Sequence, residues 1–152
     1  MVVMSAKPTK MITYAARELT EHVERATGVR LSIVADGDGV DDALSRIYIV
    51  GTEAVRALGY APDTLAPEAF VLCIEGPCLY VFGREEADAE PLRDNVPKGV
   101  LFGVYELLER YMGVRWMWPG ELGIVILRYK TLTIEDNRDN EQVPRLCFRH
   151  IR

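Results

Sequence analysis

Cysteine is scarce in this chain: Cys73, Cys78 and Cys147 are the only three in 152 residues. An odd count, at spacings that match no zinc pattern, excludes a disulfide framework and a structural zinc site. In the hairpin read below, a two-residue Gly76-Pro77 loop sets Cys78 opposite Glu75 and leaves Cys73 diagonal to it on the same face. Buried thiols acting as small hydrophobes are the expectation there, with a bridge as the less favoured alternative. Histidine is rarer still. His22 falls in what reads as the polar part of the first helix and His150 near the other end of the chain, and neither stands at motif spacing from a cysteine or serine. No nucleophile and base arrangement is therefore available.

Positive charge is not in excess either. The formal net charge is −5, the arginines are scattered among carboxylates, and there is no lysine-rich run, which excludes nonspecific nucleic-acid binding. Neutral or protein surfaces are the expected partners. No apolar run reaches the roughly 20 residues of a membrane span, and the first residues lack the charged-then-apolar layout of a signal peptide, so no membrane partner is expected. No Gly-x-Gly-x-x-Gly follows a strand and no phosphate loop is closed by lysine with serine or threonine, so no nucleotide is expected, and no cofactor of any other kind. Length sets a last limit. With 49% hydrophobic residues the chain can bury one proper core, but a catalytic barrel would need roughly 250 residues more.

What is present reads as alternating strands and helices. Val2 to Met4 is an opening strand; Ile12, Ala16, Leu19, Val23 and Ala26 then draw one face of a helix that stops at Thr27-Gly28, and Leu31 to Val34 reads as a strand. Asp36 to Asp42 is a polar loop before an apolar strand at Arg46 to Val50, and Thr52 can cap a short helix from Glu53 to Gly59. Ala69 to Glu75 and Leu79 to Gly83 form a hairpin, and the charged, proline-bearing stretch from Arg84 to Pro97 reads as an exposed loop. Thr131 to Ile134 reads as a final strand, followed by a linker, Glu135 to Gln142, with almost nothing to bury. Strands interleaved with three helices, one direct hairpin among them, predict an α/β (α+β) fold: a two-layer sandwich, with a mixed sheet and its helices packed on one face.

The stretch from Gly99 to Gly123 carries the most information. Leu101, Val104, Leu108, Tyr111 and Met112 recur at the spacing of a buried helical face, and Gly113 supplies a left-handed stop. Trp116 and Trp118 follow two apart, so in an extended segment they project from the same side, and Pro119-Gly120 turns the chain away. Packing in the core or at a domain interface is the preferred role for the two indoles, with sugar stacking, joined by Tyr129, as the alternative. Gly99 and Gly103 fit a close approach of helix to sheet.

Other groupings of polar residues carry no chemistry. Asp36, Asp38, Asp41 and Asp42 could offer oxygen ligands to calcium, but an EF-hand would need a donor at Val40, glycine at Asp41 and glutamate at Ile47. A solvated turn is the expectation, and no metal. Glu106 and Glu109 stand three apart on the long helix, as an acid and base pair might. Helix solubility accounts for them, since no pocket-forming pattern surrounds them. No catalytic residue is expected in this chain.

The helix GVLFGVYELLERYMGVRW running into WPGELG, with the opening strand, AARELTEHVERATGVRLSIV, IYIVGT and AFVLCIEGPCLYVFGR in that order, resembles a small accessory domain of several glycoside hydrolases. It is similar to the N-terminal domain of the family 67 α-glucuronidases and to the second, non-catalytic domain of the family 20 β-N-acetylhexosaminidases, and most of all to the related domain of large bacterial proteins of that kind. The resemblance implies a two-layer α/β fold over residues 1–134, with 135–152 as linker and the start of a catalytic barrel. It implies that the chain's own C-terminal barrel is its partner, with carbohydrate as a further possible one, and that the parent protein is secreted or periplasmic and acts on a polysaccharide or glycan. PRLCFR, Pro144 to Arg149, resembles the entry to the first barrel strand: Pro144 and Arg149 match, Leu146 replaces the usual aromatic and His150 the usual glycine. By that resemblance Arg149 would bind sugar hydroxyls in the parent protein, where its planar fork of donors suits paired oxygens.

Overall fold

The computed structural model describes residues 1–134 apart from positions 38, 39, 42, 51, 52, 67 and 87, together with the backbone of Asn140–Gln142. Asp38, Asp42, Thr52, Pro144, Leu146, Cys147, Arg149 and His150, all named above, lie outside the described residues.

The chain opens with strand β1 (Val2–Met4) and enters helix α1 (Lys10–Thr27). Thr9 caps that helix, its hydroxyl oxygen accepting from the Ile12 N–H at 3.2 Å, which satisfies one of the orphan donors of the first turn. Met11, Ile12, Ala15, Ala16, Leu19, Val23 and Ala26 are buried along one side. Gly28, at φ 76°, ends the helix with its N–H on the Glu24 carbonyl, a conformation that glycine adopts without a Cβ penalty. Strands β2 (Ile33–Ala35) and β3 (Arg46–Ile49), the short helix α2 (Glu53–Ala57), the hairpin β4 (Phe70–Glu75) and β5 (Cys78–Gly83), and helix α3 (Gly99–Met112) follow. Two short strands, β6 (Arg115–Trp116) and β7 (Ile124–Val125), make a separate ribbon, and β8 (Asn140–Gln142) closes the order.

The main sheet runs β2-β1-β3-β5-β4-β8, parallel from β2 to β5 and antiparallel from there on. Register fixes its two faces. Val2, Ile47, Leu79 and Ile74 share one side, as do Ile49, Val81 and Leu72. Helices α1 and α3 pack on each other and on that side. This is the mixed sheet with helices on one face that the sequence predicts. The opposite side carries Tyr48 stacked on Tyr80, ring centres 5.1 Å apart, and Phe82, against which Tyr60 of the turn after α2 packs at 4.9 Å. Cys73 and Cys78 are buried there, Cys78 opposite Glu75 as expected.

Three local expectations change. Thr131 to Ile134 is not a strand; Leu132 and Ile134 lean on the core as side chains without joining the backbone ladder. The last strand is instead β8, inside the stretch that reads as linker, paired through Phe70 to Gln142 and Leu72 to Asn140. A sheet-edge strand can be polar because its backbone, rather than its side chains, supplies the pairing. The loop from Arg84 to Pro97 is not wholly exposed either, since Ala89 and Val96 are buried and Glu85 bridges to Lys98.

Candidate functional site

Helix α3 stops at Gly113, which takes φ 61°, and the chain leaves it directly as the β6–β7 ribbon. Trp116 pairs with Ile124 and Arg115 with Val125. Between the strands the turn is closed by two hydrogen bonds, the Met117 N–H to the Gly123 carbonyl at 2.8 Å and the Gly123 N–H to the Gly120 carbonyl at 3.0 Å. Gly120 sits at φ 94°. Any Cβ on Gly123 would overlap the Trp118 carbonyl, so the turn closes this tightly only around glycine.

The inner side of the ribbon rests on the helices. The Trp116 ring lies 5.6 Å from His22 and 5.1 Å, edge to face, from Tyr105. Far from sitting on a polar face, His22 is 5% exposed. Its Nδ1 donates to the Glu18 carbonyl at 2.8 Å, and its Nε2 has no hydrogen-bond partner among the described residues. The position was legible: His22 stands three after Leu19 and four before Ala26, within the apolar stripe of α1. Next to it the Tyr105 hydroxyl donates to the Glu18 carboxylate at 3.3 Å. Burial first, and then that carboxylate, push the Tyr105 phenol well above its ordinary 10.0; Tyr14 moves the same way for the same two reasons.

The outer side of the ribbon and its tip are uncovered. Met117 is 63% exposed, Trp118 58%, Leu122 91%, Val125 47% and Leu127 53%. Large apolar side chains exposed this close together, on the ribbon and just after it, exceed the scattered single exposures of an ordinary surface. Ion pairs edge the ribbon, Arg115 with Glu109 at 3.5 Å and Arg25 with Glu121 at 3.3 Å.

The residues singled out from sequence divide unevenly over this site. Trp116 and Trp118 both belong to it, but strand β6 ends at Trp116 and the chain bends from Trp118. The extended geometry that would set the indoles side by side is lost: Trp116 turns inward and Trp118 outward, and neither is in the core. Tyr129 is engaged internally, its hydroxyl donating to the Met112 carbonyl at 3.2 Å and its N–H to Ala26 at 2.8 Å. Tyr111 is half-buried rather than a core residue. Glu106 pairs with Arg110 at 4.0 Å and Glu109 with Arg115, both on the helix surface. Asp41 accepts from the Ala43 N–H, as a turn residue does. Among the described residues no group of three or more His, Cys, Asp or Glu is placed to hold a metal ion, and no helix is long and apolar enough to cross a membrane.

No family model matches this sequence, and no curated protein matches it significantly. Two solved structures with a similar arrangement are glycoside hydrolases. One is a GH138 enzyme targeting pectin rhamnogalacturonan II, 18% identical, with a TM-score of 0.41 over 72% of this chain and 10% of that one. The other is a family GH115 4-O-methyl-α-glucuronidase with specificity for decorated arabinogalactans, also 18% identical, with a TM-score of 0.48 over 77% of this chain and 14% of that one. The chain therefore spans a small part of either enzyme.

Proposed function

We propose that this chain is a non-catalytic accessory domain of a larger glycoside hydrolase, and that it packs against the catalytic barrel and positions it. The observation that carries the reading is the exposed apolar patch of Met117, Trp118, Leu122, Val125 and Leu127. Apolar side chains exposed in this way, on a chain whose sequence offers no catalytic motif, fit a surface that another protein surface seals. The order of motifs around the WPGELG turn supplies the kind of neighbour, a barrel acting on a polysaccharide or glycan. Hydrolysis would then be measured on aryl glycosides and uronides, with the isolated chain inert and the full-length protein active. Turnover by the isolated chain that survives removal of contaminating enzymes would overturn the reading.

One observation favours a second reading, carbohydrate binding: the outward Trp118 offers a free indole face for a sugar ring. Titration of the isolated chain with an oligosaccharide panel, followed by tryptophan fluorescence, separates the two. A saturable change lost in Trp118→Ala would establish binding, and a flat response across the panel would leave domain packing as the role.

A further inference from the structure

From the free edge of the main sheet we infer that two copies of this chain associate about a two-fold axis through Val34, strand β2 pairing antiparallel with β2 of the second copy and α1 lying beside its counterpart. This contact goes beyond the docking proposed above and uses no residue of the β6–β7 ribbon. Strand β2 is the outermost of its sheet. The Val2 N–H donates to the Ser32 carbonyl at 2.8 Å and the Asp36 N–H to the Met4 carbonyl at 2.7 Å. By the alternation of a strand, Val34 also turns its backbone to β1, while Ile33 and Ala35 turn theirs outward. Both are exposed, Ile33 to 39%, and the sequence Ile-Val-Ala has neither the proline nor the charge that commonly keeps an edge from pairing.

What selects a second copy is a self-complementary row of charge beside that edge. A groove of about 520 Å³ lies between α1 and the approach to β2, lined by Arg17, Thr20, Glu21 and Glu24 of the helix and by Arg30 and Ile33. Thr27 and Leu31 line another groove together, which sets the end of α1 level with the chain entering β2. About 10 Å back along the helix, at ~1.5 Å per residue, lies the midpoint between Thr20 and Glu21, and about 10 Å forward along the strand, at ~3.3 Å per residue, lies Val34. One axis therefore serves both elements. Pairing about Val34 sets Ile33 opposite Ala35 of the second copy, with four backbone hydrogen bonds in all by the antiparallel pattern at roughly ideal geometry, and brings the two Val34 side chains together on the sheet face away from the helices. The same axis sets Arg17 opposite Glu24 of the second copy and Glu24 opposite its Arg17, because the two positions stand equally far from the midpoint. Each has a neighbour on its own chain, Glu21 for Arg17 and Arg30 for Glu24, but at 3.8 Å in both and with side chains 45% exposed or more. Such pairs leave donors and acceptors for a partner across the axis. Two arginines against two glutamates also make the groove neutral, so two copies meet there without the repulsion that a net charge of −5 sets elsewhere.

Sedimentation velocity of the 152-residue chain at low salt, over about 10 μM to about 1 mM, tests this. A reversible equilibrium of monomer and dimer is expected. Ala35→Pro deletes one outward N–H per copy, and so half of the inter-strand bonds, while leaving the pairing with β1 intact; it should weaken the dimer about tenfold or more. Glu24→Arg should weaken it comparably, and the exchange of Arg17→Glu with Glu24→Arg should restore it, because opposite charges then face each other again. Circular dichroism and melting of each variant verify its fold. A chain that stays monomeric throughout the range overturns the proposal. So does a dimer indifferent to Ala35→Pro and Glu24→Arg, which places the contact elsewhere, and so does one that the charge exchange fails to restore, which removes the axis through Val34. None of these outcomes bears on docking at the ribbon.

Discussion

The imidazole of His22 lies under the indole of Trp116, their ring centres 5.6 Å apart and their planes tilted by 57°. The Glu18 carbonyl holds His22 through Nδ1 and Tyr105 abuts Trp116 from α3, so one indole seals the seam where the ribbon crosses both long helices. Trp116→Ala should therefore destabilise the isolated chain by about 2 kcal/mol, the order expected for an aromatic that stays 38% exposed but keeps two ring partners. Trp118→Ala should change stability by less than ~0.5 kcal/mol, because the side chain is exposed. Urea denaturation of the two variants checks this, and equal midpoints would show that Trp116 does not support the ribbon.

Tyr105 links the same seam to alkaline pH. Burial and then the Glu18 carboxylate raise its phenol above 10.0 in the folded chain, and burial does the same first of all at Tyr80. Above pH 10 or so the unfolded chain loses these protons while the folded chain keeps them, so fewer protons are bound in the unfolded state and stability falls as pH rises. The stabilisation is fully present below the ordinary tyrosine value and is lost as pH climbs from there toward the folded one. Unfolding free energy measured from pH 8 to 11, about the range in which tyrosine begins to titrate, should decline at the upper end and decline less steeply in Tyr105→Phe. Parallel curves for the two proteins would remove Tyr105 from the account.

The hairpin shows how much of the fold could be read in advance. Its two-residue Gly76-Pro77 loop specifies the register, and Cys78 stands opposite Glu75 as that loop requires. The α1 stripe and the stop at Gly28 were equally legible, because helix period and left-handed caps are local properties. Strand β8 was not, since Asn-Glu-Gln has no pattern of its own and only β4 gives it a partner. The site was half legible. Aromatic spacing pointed to Trp116 and Trp118, but which of them turns inward depends on where β6 ends, and that is set by the bend and the Gly123 contact across the turn.

Arg149 should matter only in the intact protein, where the proposed first barrel strand and its neighbours would form a pocket around it. Arg149→Lys keeps the charge but loses the planar fork, and the loss of one charge-assisted hydrogen bond is about 1.5–3 kcal/mol. Turnover of the proposed full-length hydrolase should fall accordingly, while the melting temperature of the isolated chain stays where it was. Full-length kinetics indifferent to both Arg149→Lys and Arg149→Ala would show that the likeness at Pro144 to Arg149 is accidental.

Gly99 and Gly103 both lie where α3 meets the sheet, yet they should respond differently to alanine. At Gly99 an added Cβ would overlap the Ala69 carbonyl oxygen and stand 2.8 Å from the Arg84 nitrogen. Both are backbone atoms, and the hydrogen bonds from the Gly99 N–H to Arg84 and from the Arg84 N–H to Ala69 hold them in place. At Gly103 the nearest atom is the Val81 Cγ1 at 3.0 Å, followed by the Phe70 Cβ at 3.3 Å; these are side chains that can give by a few tenths of an ångström. Alanine also improves helix propensity by roughly 1 kcal/mol over glycine, which offsets much of the crowding at Gly103 but not a displaced strand end at Gly99. Gly103→Ala should thus stay within about 1 kcal/mol of the parent sequence, whereas Gly99→Ala should cost about 3 kcal/mol, a large part of the stability of an ordinary domain. Denaturation midpoints that fall equally in the two variants would mean that the N-terminal turn of α3 can lift away from Ala69, and that the close crossing does not require glycine.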